Sequence, residues 1–411
     1  MIALSKPRKF FALFALALGG FGIGVTEFAT MGLLPDIARD LLPNFDAAPE
    51  QNIAQAGLLI SAYALGVVVG APTLAVLAAK MSQSKLAFLL LIAFTLASLA
   101  SAIMPDFATT AIARFVAGLP HGAYFGVASL LAARIMGPGK QGQGVALALS
   151  GLTIANVVGV PLATFLGQQA GWRWAYVAVA VIFAVTLVLG FFTLPRTPGN
   201  PKRGVAAELS AFRSGRLWLM VAVGSIGFGG FFALYSYIAE VTTRVVGLPE
   251  VAVPWVLATL GVGMTVGNIL GGFLADRNLS RTVIIGFTSL IVVLAGYALF
   301  ATAPVTLFIA ALLIGLTSSM LIPSLQARLI AIAGEAELLG AALNHAAFNV
   351  GNALGAWLGG LVIAAGFGYL APGWVGVVLA SLGFVLALVS ISLDKTPITT
   401  QSIPVQSLSD D

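Results

Sequence analysis

The sequence predicts an all-α membrane protein whose twelve transmembrane helices form two pseudo-symmetric six-helix bundles. Three observations lead there. Of 411 residues, 59% are hydrophobic and only 9% are charged, with a mean hydropathy of +1.02. A soluble domain carries roughly 25% charged residues, so this composition cannot cover a water-facing surface. The apolar residues also gather into twelve long runs, and about 20 such residues suffice for one crossing. Finally, the glycine and polar pattern of the first six runs returns in the last six.

The runs lie near residues 10–34, 54–79, 86–104, 107–135, 144–169 and 174–194. The second set lies near 217–240, 254–275, 282–302, 305–331, 340–364 and 374–393. The first run could mimic a signal peptide, because Lys6, Arg8 and Lys9 precede Ala15-Leu16-Ala17. It continues to about Leu34, however, beyond the roughly 7–15 residues of a signal core, and reads as a retained helix. Sixteen of the twenty Lys and Arg fall in segments on the side of the N-terminus. Only Arg39, Arg173 and Arg244 fall on the other, and Arg114 lies within a run. Basic residues accumulate in cytoplasmic loops, so both termini are expected in the cytoplasm. The longest connection, Pro195 to Arg216, is basic and rich in Pro and Gly. It divides the chain into a bundle at 1–195, a linker at 196–216, a bundle at 217–393 and a tail at 394–411.

A shift of 197 residues aligns Gly66 with Gly263, Gly70 with Gly267, Leu77 with Leu274 and Lys80 with Arg277. A shift of 196 aligns Gly144 with Gly340, Asn156 with Asn352 and Gly159 with Gly355. Chance matches are easy among 47 glycines, but one nearly constant offset across several helices indicates a parallel duplication. Such repeats place a binding site near the bilayer midplane, between the halves.

Several function classes fall away. With no cysteine there is no thiol nucleophile or thiolate metal site, and two histidines, His121 and His345, make no histidine cage. The net charge of +5 reports topology rather than a nucleic-acid partner. Gly139-Lys140 is followed by Gln141, not by the Ser or Thr of a phosphate-binding loop. Neither an enzyme nor a cofactor nor a metal is expected.

Ionisable groups inside a span are costly and normally face a cavity. Glu27 in the first helix lies eight residues before Pro35, about 12 Å from that helix end at a rise of 1.5 Å per residue. Gly20 and Gly24 share its face. Arg114 in the fourth helix lies at similar depth, which allows either a working acid–base pair or a static ion pair between helices. His121, seven residues on, shares the face of Arg114 and Gly118. It could relay protons or bind substrate, or simply bridge helices. His345, Asn349 and Asn352 form one polar stripe at i, i+4 and i+7 that can join helices or line a cavity. Phe231, Phe232, Tyr235 and Tyr237 could form an apolar pocket or pack the bundle. Gly151, Asn156, Gly159 and Pro161 permit close approach and a kink in the fifth helix. Asp276, Arg277 and Arg281 end the eighth helix as a candidate conformational latch, or as an ordinary topology-setting turn. Glu240 is expected at the outer end of the seventh helix, which leaves Glu27 as the acidic residue well inside a span.

Phe273-Leu274-Ala275-Asp276-Arg277 with Arg281 resembles the loop motif of the major facilitator superfamily. The matching first-half segment, Leu77 to Ser82, lacks that motif's Asp and Gly. Arg114 with Gly118 is similar to the fourth-helix motif of proton-coupled members, and Gly159-Val160-Pro161 to the antiporter motif. Thr26-Glu27-Phe28, Pro120-His121-Gly122, Gly171-Trp172-Arg173 and Tyr235-Ser236-Tyr237-Ile238 resemble sugar-efflux and arabinose-efflux-type permeases of the drug:proton antiporter branch. The likeness covers residues 10–393.

That resemblance implies two bundles rocking around a cavity lined mainly by the first, fourth, seventh and tenth helices. It implies a monomeric secondary transporter of the bacterial inner membrane. Its partners would be protons, membrane lipid and a small-molecule substrate, with efflux of a drug or sugar-like metabolite by alternating access. Sugar transport and multidrug resistance both fall within the family's range. A facilitator or importer is the alternative, and a non-transporting membrane sensor a more distant one. In the implied site, Glu27, Arg114 and His121 couple protons. Those three, with Phe232, Tyr235 and Asn349, bind substrate, while Asp276, Arg277, Arg281, Gly159 and Pro161 serve the gate.

The topology has a direct test, because the chain has no native cysteine. In a Gly199→Cys variant an impermeant maleimide should label inverted vesicles rapidly and intact cells hardly at all. Rapid labelling of intact cells would reverse the orientation.

Overall fold

Twelve helices in the computed structural model are long and apolar enough to cross a bilayer. They are α1 (Lys6–Gly32), α2 (Pro49–Leu74), α3 (Gln83–Ile103), α4 (Phe107–Met136), α5 (Ala146–Ala170) and α6 (Trp172–Thr193). The second set is α7 (Gly215–Val245), α8 (Glu250–Ala275), α9 (Leu279–Phe300), α10 (Pro304–Ala333), α11 (Leu343–Ala364) and α12 (Ala371–Ser392). The structure describes residues 4–43, 45–77, 81–137, 141–196, 213–333 and 337–394, with the side chains of 75–77, 141–143, 145, 276, 337–339, 341 and 342 excluded. Most of the expected linker, the tail after Asp394, the Ala78–Lys80 segment and the Asp276 side chain therefore lie outside the described residues.

Helices satisfy their own backbone groups, which is what hydrocarbon requires. The outer surface carries large apolar side chains such as Phe191, Phe192, Phe300 and Ile103, which only lipid solvates well. The most enclosed span is α7, 72% buried, whereas α12 is 33% buried. The seventh helix is central and the twelfth peripheral.

Within each half, glycine sets the closest approaches, and the two halves repeat them. In the first, Gly66 packs on the backbone of Phe115, Gly70 on Leu119 and Gly118 on Tyr63. In the second, Gly263 packs on Leu312, Gly267 on Leu316 and Gly315 on Leu260. Every partner is displaced by the same 197 residues as its glycine, so the α2–α4 contact is rebuilt as α8–α10. A side chain at any of these positions would overlap backbone atoms, which cannot move aside as a side-chain tip can.

Two findings revise the expected placement of charges. The seventh helix continues to Val245 through a wide turn at Val241–Val245. Glu240 therefore lies inside the span, 1% exposed, and its Oε2 is 2.5 Å from Nε of Arg244. Glu27 is thus not alone. Arg328, expected in a solvated loop, is buried within α10. Its Nη2 lies 2.8 Å from Oδ2 of Asp394, which also binds Arg216, and the guanidinium reaches Ser280 and Ser390. Long apolar runs conceal such residues, because a charge near the end of a run looks like its boundary.

The halves meet firmly at the end of the bundle that carries Asp36. One apolar core is drawn only from residues between Ala12 and Leu194. The core of the second half crosses over to take in Phe28, Met31, Leu34, Ile53, Ala56 and Ile60. Ser61 Oγ donates to Ala353 O at 3.1 Å, and Gln168 Nε2 to Glu250 O at 2.9 Å. Arg39, on the short helix Leu34–Leu41, sits 3.7 Å from Asp36 and 3.8 Å from Glu250 of the other half. Burial and the Glu250 carboxylate push Asp36 up from 3.8 to about 6, with Arg39 opposing them.

That shift fixes a sign. Where this end is closed, Asp36 holds its proton more tightly than an Asp in water, so acidification through about pH 6 favours closure. Spin labels at Ala47→Cys and Val251→Cys should show the short-distance population growing from pH 7.5 to pH 5. Asp36→Asn should remove that dependence and leave the closed population high throughout. Opening on acidification would refute the assignment.

Candidate functional site

At the middle of the bundle α1 faces α4 and α11. The fourth helix turns at Leu119–Pro120, where proline lacks the N–H that would continue the ladder. The break separates Arg114 from His121. Arg114 is completely buried, and it grips α1 at one residue. Nη1 donates to Thr26 Oγ1 at 3.0 Å, and Nη2 to Thr26 O at 2.9 Å. Its guanidinium lies 4.4 Å from the centre of the Tyr63 ring and 5.2 Å from that of Tyr176. Arg114 and Glu27 do lie beside neighbouring residues of one helix, but they form no ion pair within 4.0 Å.

Glu27 turns the other way. It is 5% exposed, and Oε1 accepts a hydrogen bond of 3.4 Å from Asn352 Nδ2 of α11. This contact spans the two halves. The carboxyl group also borders a cavity of about 250 Å³ between them. Its wall includes Phe28 from α1, His121 from α4, and Leu152 and Asn156 from α5. Phe228, Phe231 and Phe232 come from α7, Met264 and Asn268 from α8, Ser319 and Gln326 from α10, and His345, Phe348 and Asn349 from α11. The fifth, eighth and eleventh helices thus contribute alongside the four expected ones.

Of the residues singled out in the sequence, Glu27, His121, Asn156, Phe231, Phe232, His345 and Asn349 border this space. Arg114 and Tyr235 stand behind its wall. Tyr235 is 1% exposed and lies 5.5 Å, centre to centre, from the Phe28 ring. His121 Nδ1 is 3.1 Å from the Tyr63 hydroxyl, and its ring is 6.1 Å from that of His345, which stacks on Phe125 at 5.1 Å. The polar stripe of α11 divides by depth: His345 and Asn349 face the cavity, while Asn352 reaches Glu27. Gly159 closes the wide turn Ala155–Gly159 in α5, just before Pro161, and packs on Phe21 and Val25 of α1. Arg277 and Arg281 are exposed at the far end of α8 and the start of α9, away from the cavity.

Sequence reasoning did not find that Thr26 is the seat of Arg114 or that Asn352 is the partner of Glu27. A hydroxyl beside a buried acid, and a polar stripe on an otherwise apolar helix, were the available signals. Neither states which helix lies opposite. The Glu240–Arg244 pair was legible in principle, since i and i+4 share a helix face.

The profile of the Major Facilitator Superfamily matches residues 16–303 and 243–406. The chain is 39% identical to the Escherichia coli (strain K12) inner membrane transport protein YdhP over 389 residues, covering 95% of this chain and 97% of that protein. It is 31% identical to the chloramphenicol resistance protein of Streptomyces lividans, covering 91% and 95%. Its fold superimposes on the crystal structure of a D-xylose–proton symporter with a TM-score of 0.75 at 16% identity, over 96% of this chain and 99% of that one.

Proposed function

The chain belongs to the Major Facilitator Superfamily and is a multi-pass inner-membrane transport protein, and on that premise we propose that it exports a small organic compound in exchange for protons. The observation that carries this reading is the placement of Glu27. Its carboxyl group borders the central cavity, and its hydrogen-bond partner, Asn352, belongs to the other half. Rocking the halves apart would break that bond and admit water to the carboxylate. The proton affinity of a carboxyl group follows its hydration and its hydrogen bonds. Proton occupancy and conformation are therefore linked through one contact. Arg114 stays fastened to Thr26 within the first half, so it travels with Glu27 as a constant positive neighbour.

In this reading residues 1–195 and 217–393 are the moving bundles, 196–216 the linker and 394–411 a tail, with both termini in the cytoplasm. The Asp36 end then faces outward and is shut. His121 and His345 flank the cavity as a second polar pair, and Phe232 and Asn349 contact the substrate. The wide turn at Gly159 lets α5 flex against α1. The likeness to a chloramphenicol resistance protein supports export of a drug-like molecule. A facilitator would need no carboxyl group at this contact.

The test is flux in liposomes that enclose a pH-sensitive dye, with chloramphenicol or L-arabinose as the added solute. Wild type should move protons only when a transported solute is present. Glu27→Gln should lose proton-driven accumulation by at least about tenfold while still exchanging solute at equal concentrations. Accumulation retained in Glu27→Gln would move the coupling site elsewhere, with His121 next. Solute flux with no proton movement in wild type would establish the facilitator.

A further inference from the structure

Three buried polar atoms on the wall of the cavity have no hydrogen-bond partner. Asn156 and Asn349, 4% and 3% exposed, both border it. Asn156 Nδ2 already donates to Leu152 O at 3.1 Å, and Asn349 Nδ2 to His345 O at 3.0 Å. Each amide has thereby given one of its two N–H donors to its own helix, and each Oδ1 is buried with no partner. Ser319 Oγ, 1% exposed and on the same wall, is likewise without one. A buried acceptor left unsatisfied is unfavourable, and here the unsatisfied atoms come from three different helices and border one space.

Opposite in character is the aromatic side. Phe228 and Phe348 stack at 4.4 Å, and the edge of the cavity continues onto Phe28 and Phe232. No Lys or Arg is among the described residues that line the space, and the one charged residue there is Glu27. The remaining amides, Asn268, Gln326 and Asn344, carry donors and acceptors alike and do not discriminate. At about 250 Å³ the volume is below the roughly 300–1,000 Å³ of ordinary ligand pockets.

We infer that this cavity selects a compact solute with one aryl or similarly flat apolar face and at least two hydroxyl or amine donors, and rejects carboxylates of the same size. The inference rests on the reading of this cavity as the transport site. Donors on the solute would satisfy Asn156 Oδ1, Asn349 Oδ1 and Ser319 Oγ while its ring lies against Phe228 and Phe348. A carboxylate would bring its charge beside Glu27, with no Lys or Arg among the described residues that line the space.

Three probes of one skeleton separate these terms: 1-phenylpropane-1,2,3-triol, its trimethyl ether and 3-phenylpropanoate. Calorimetric titration of the purified full-length protein in detergent, with no gradient, should find the triol binding at least about tenfold more tightly than either of the others. Asn349→Leu should weaken the triol by about tenfold and leave the ether unchanged, while Asn349→Asp, which keeps an acceptor, should retain triol binding. Equal affinity for triol and ether, tighter binding of the propanoate, or no binding of any probe at millimolar concentration would each overturn the inference. None of these results depends on proton movement, so a failure here is distinct from a failure of Glu27→Gln to uncouple flux.

Discussion

Between apolar helices in lipid there is no gain from expelling water, so association depends on shape and on the few polar bonds available. In this protein the shape comes from glycine. Gly66, Gly70 and Gly118 let α2 and α4 approach to backbone contact, and Gly263, Gly267 and Gly315 do the same for α8 and α10. A methyl group at these places would meet main-chain atoms. Each half is thus held by surfaces that fit in one register.

The buried charges are accommodated in different ways, and the differences bear on function. Arg114 is matched within its own half by both oxygens of Thr26 and by two tyrosine rings. Arg328 is matched within the second half by Asp394 and two serines. Both hold helices together wherever the halves stand. Glu27 has its partner across the interface, at 3.4 Å, and no cation within ion-pair range among the described residues. A buried polar group left without a partner is unfavourable, and the partner of Glu27 is supplied by the other half.

The same contrast holds for the ends of the bundle. At the Asp36 end an apolar core crosses between halves and a set of acids and arginines surrounds it. Deeper in, the space is lined by phenylalanines and by amides whose oxygens have no partner. Apolar closure at the rim excludes water, and hydrogen bonds inside are the stronger for it.

The sequence by itself determined the membrane class, the twelve spans and the duplication. These depend on composition, run length and periodicity, which are local properties. Helix ends agreed to within a few residues, and the repeat read from Gly66 and Gly263 recurs as one packing contact in both halves. Glu27 was legible too, since a carboxylate in an apolar run is conspicuous without any fold. Its partner was not. Depth along a helix is one coordinate, and it placed Arg114 level with Glu27, but rotation about the helix axis gave the arginine to Thr26 and the acid to Asn352. Depth likewise misjudged Glu240 and Arg328, which look like boundary charges in the sequence and are enclosed by neighbouring helices in the fold. Which faces meet, and which amides keep a free oxygen, was decided only by the tertiary structure, because side chains 88 residues apart (Thr26 and Arg114) or 325 apart (Glu27 and Asn352) become neighbours only when all the helices pack together.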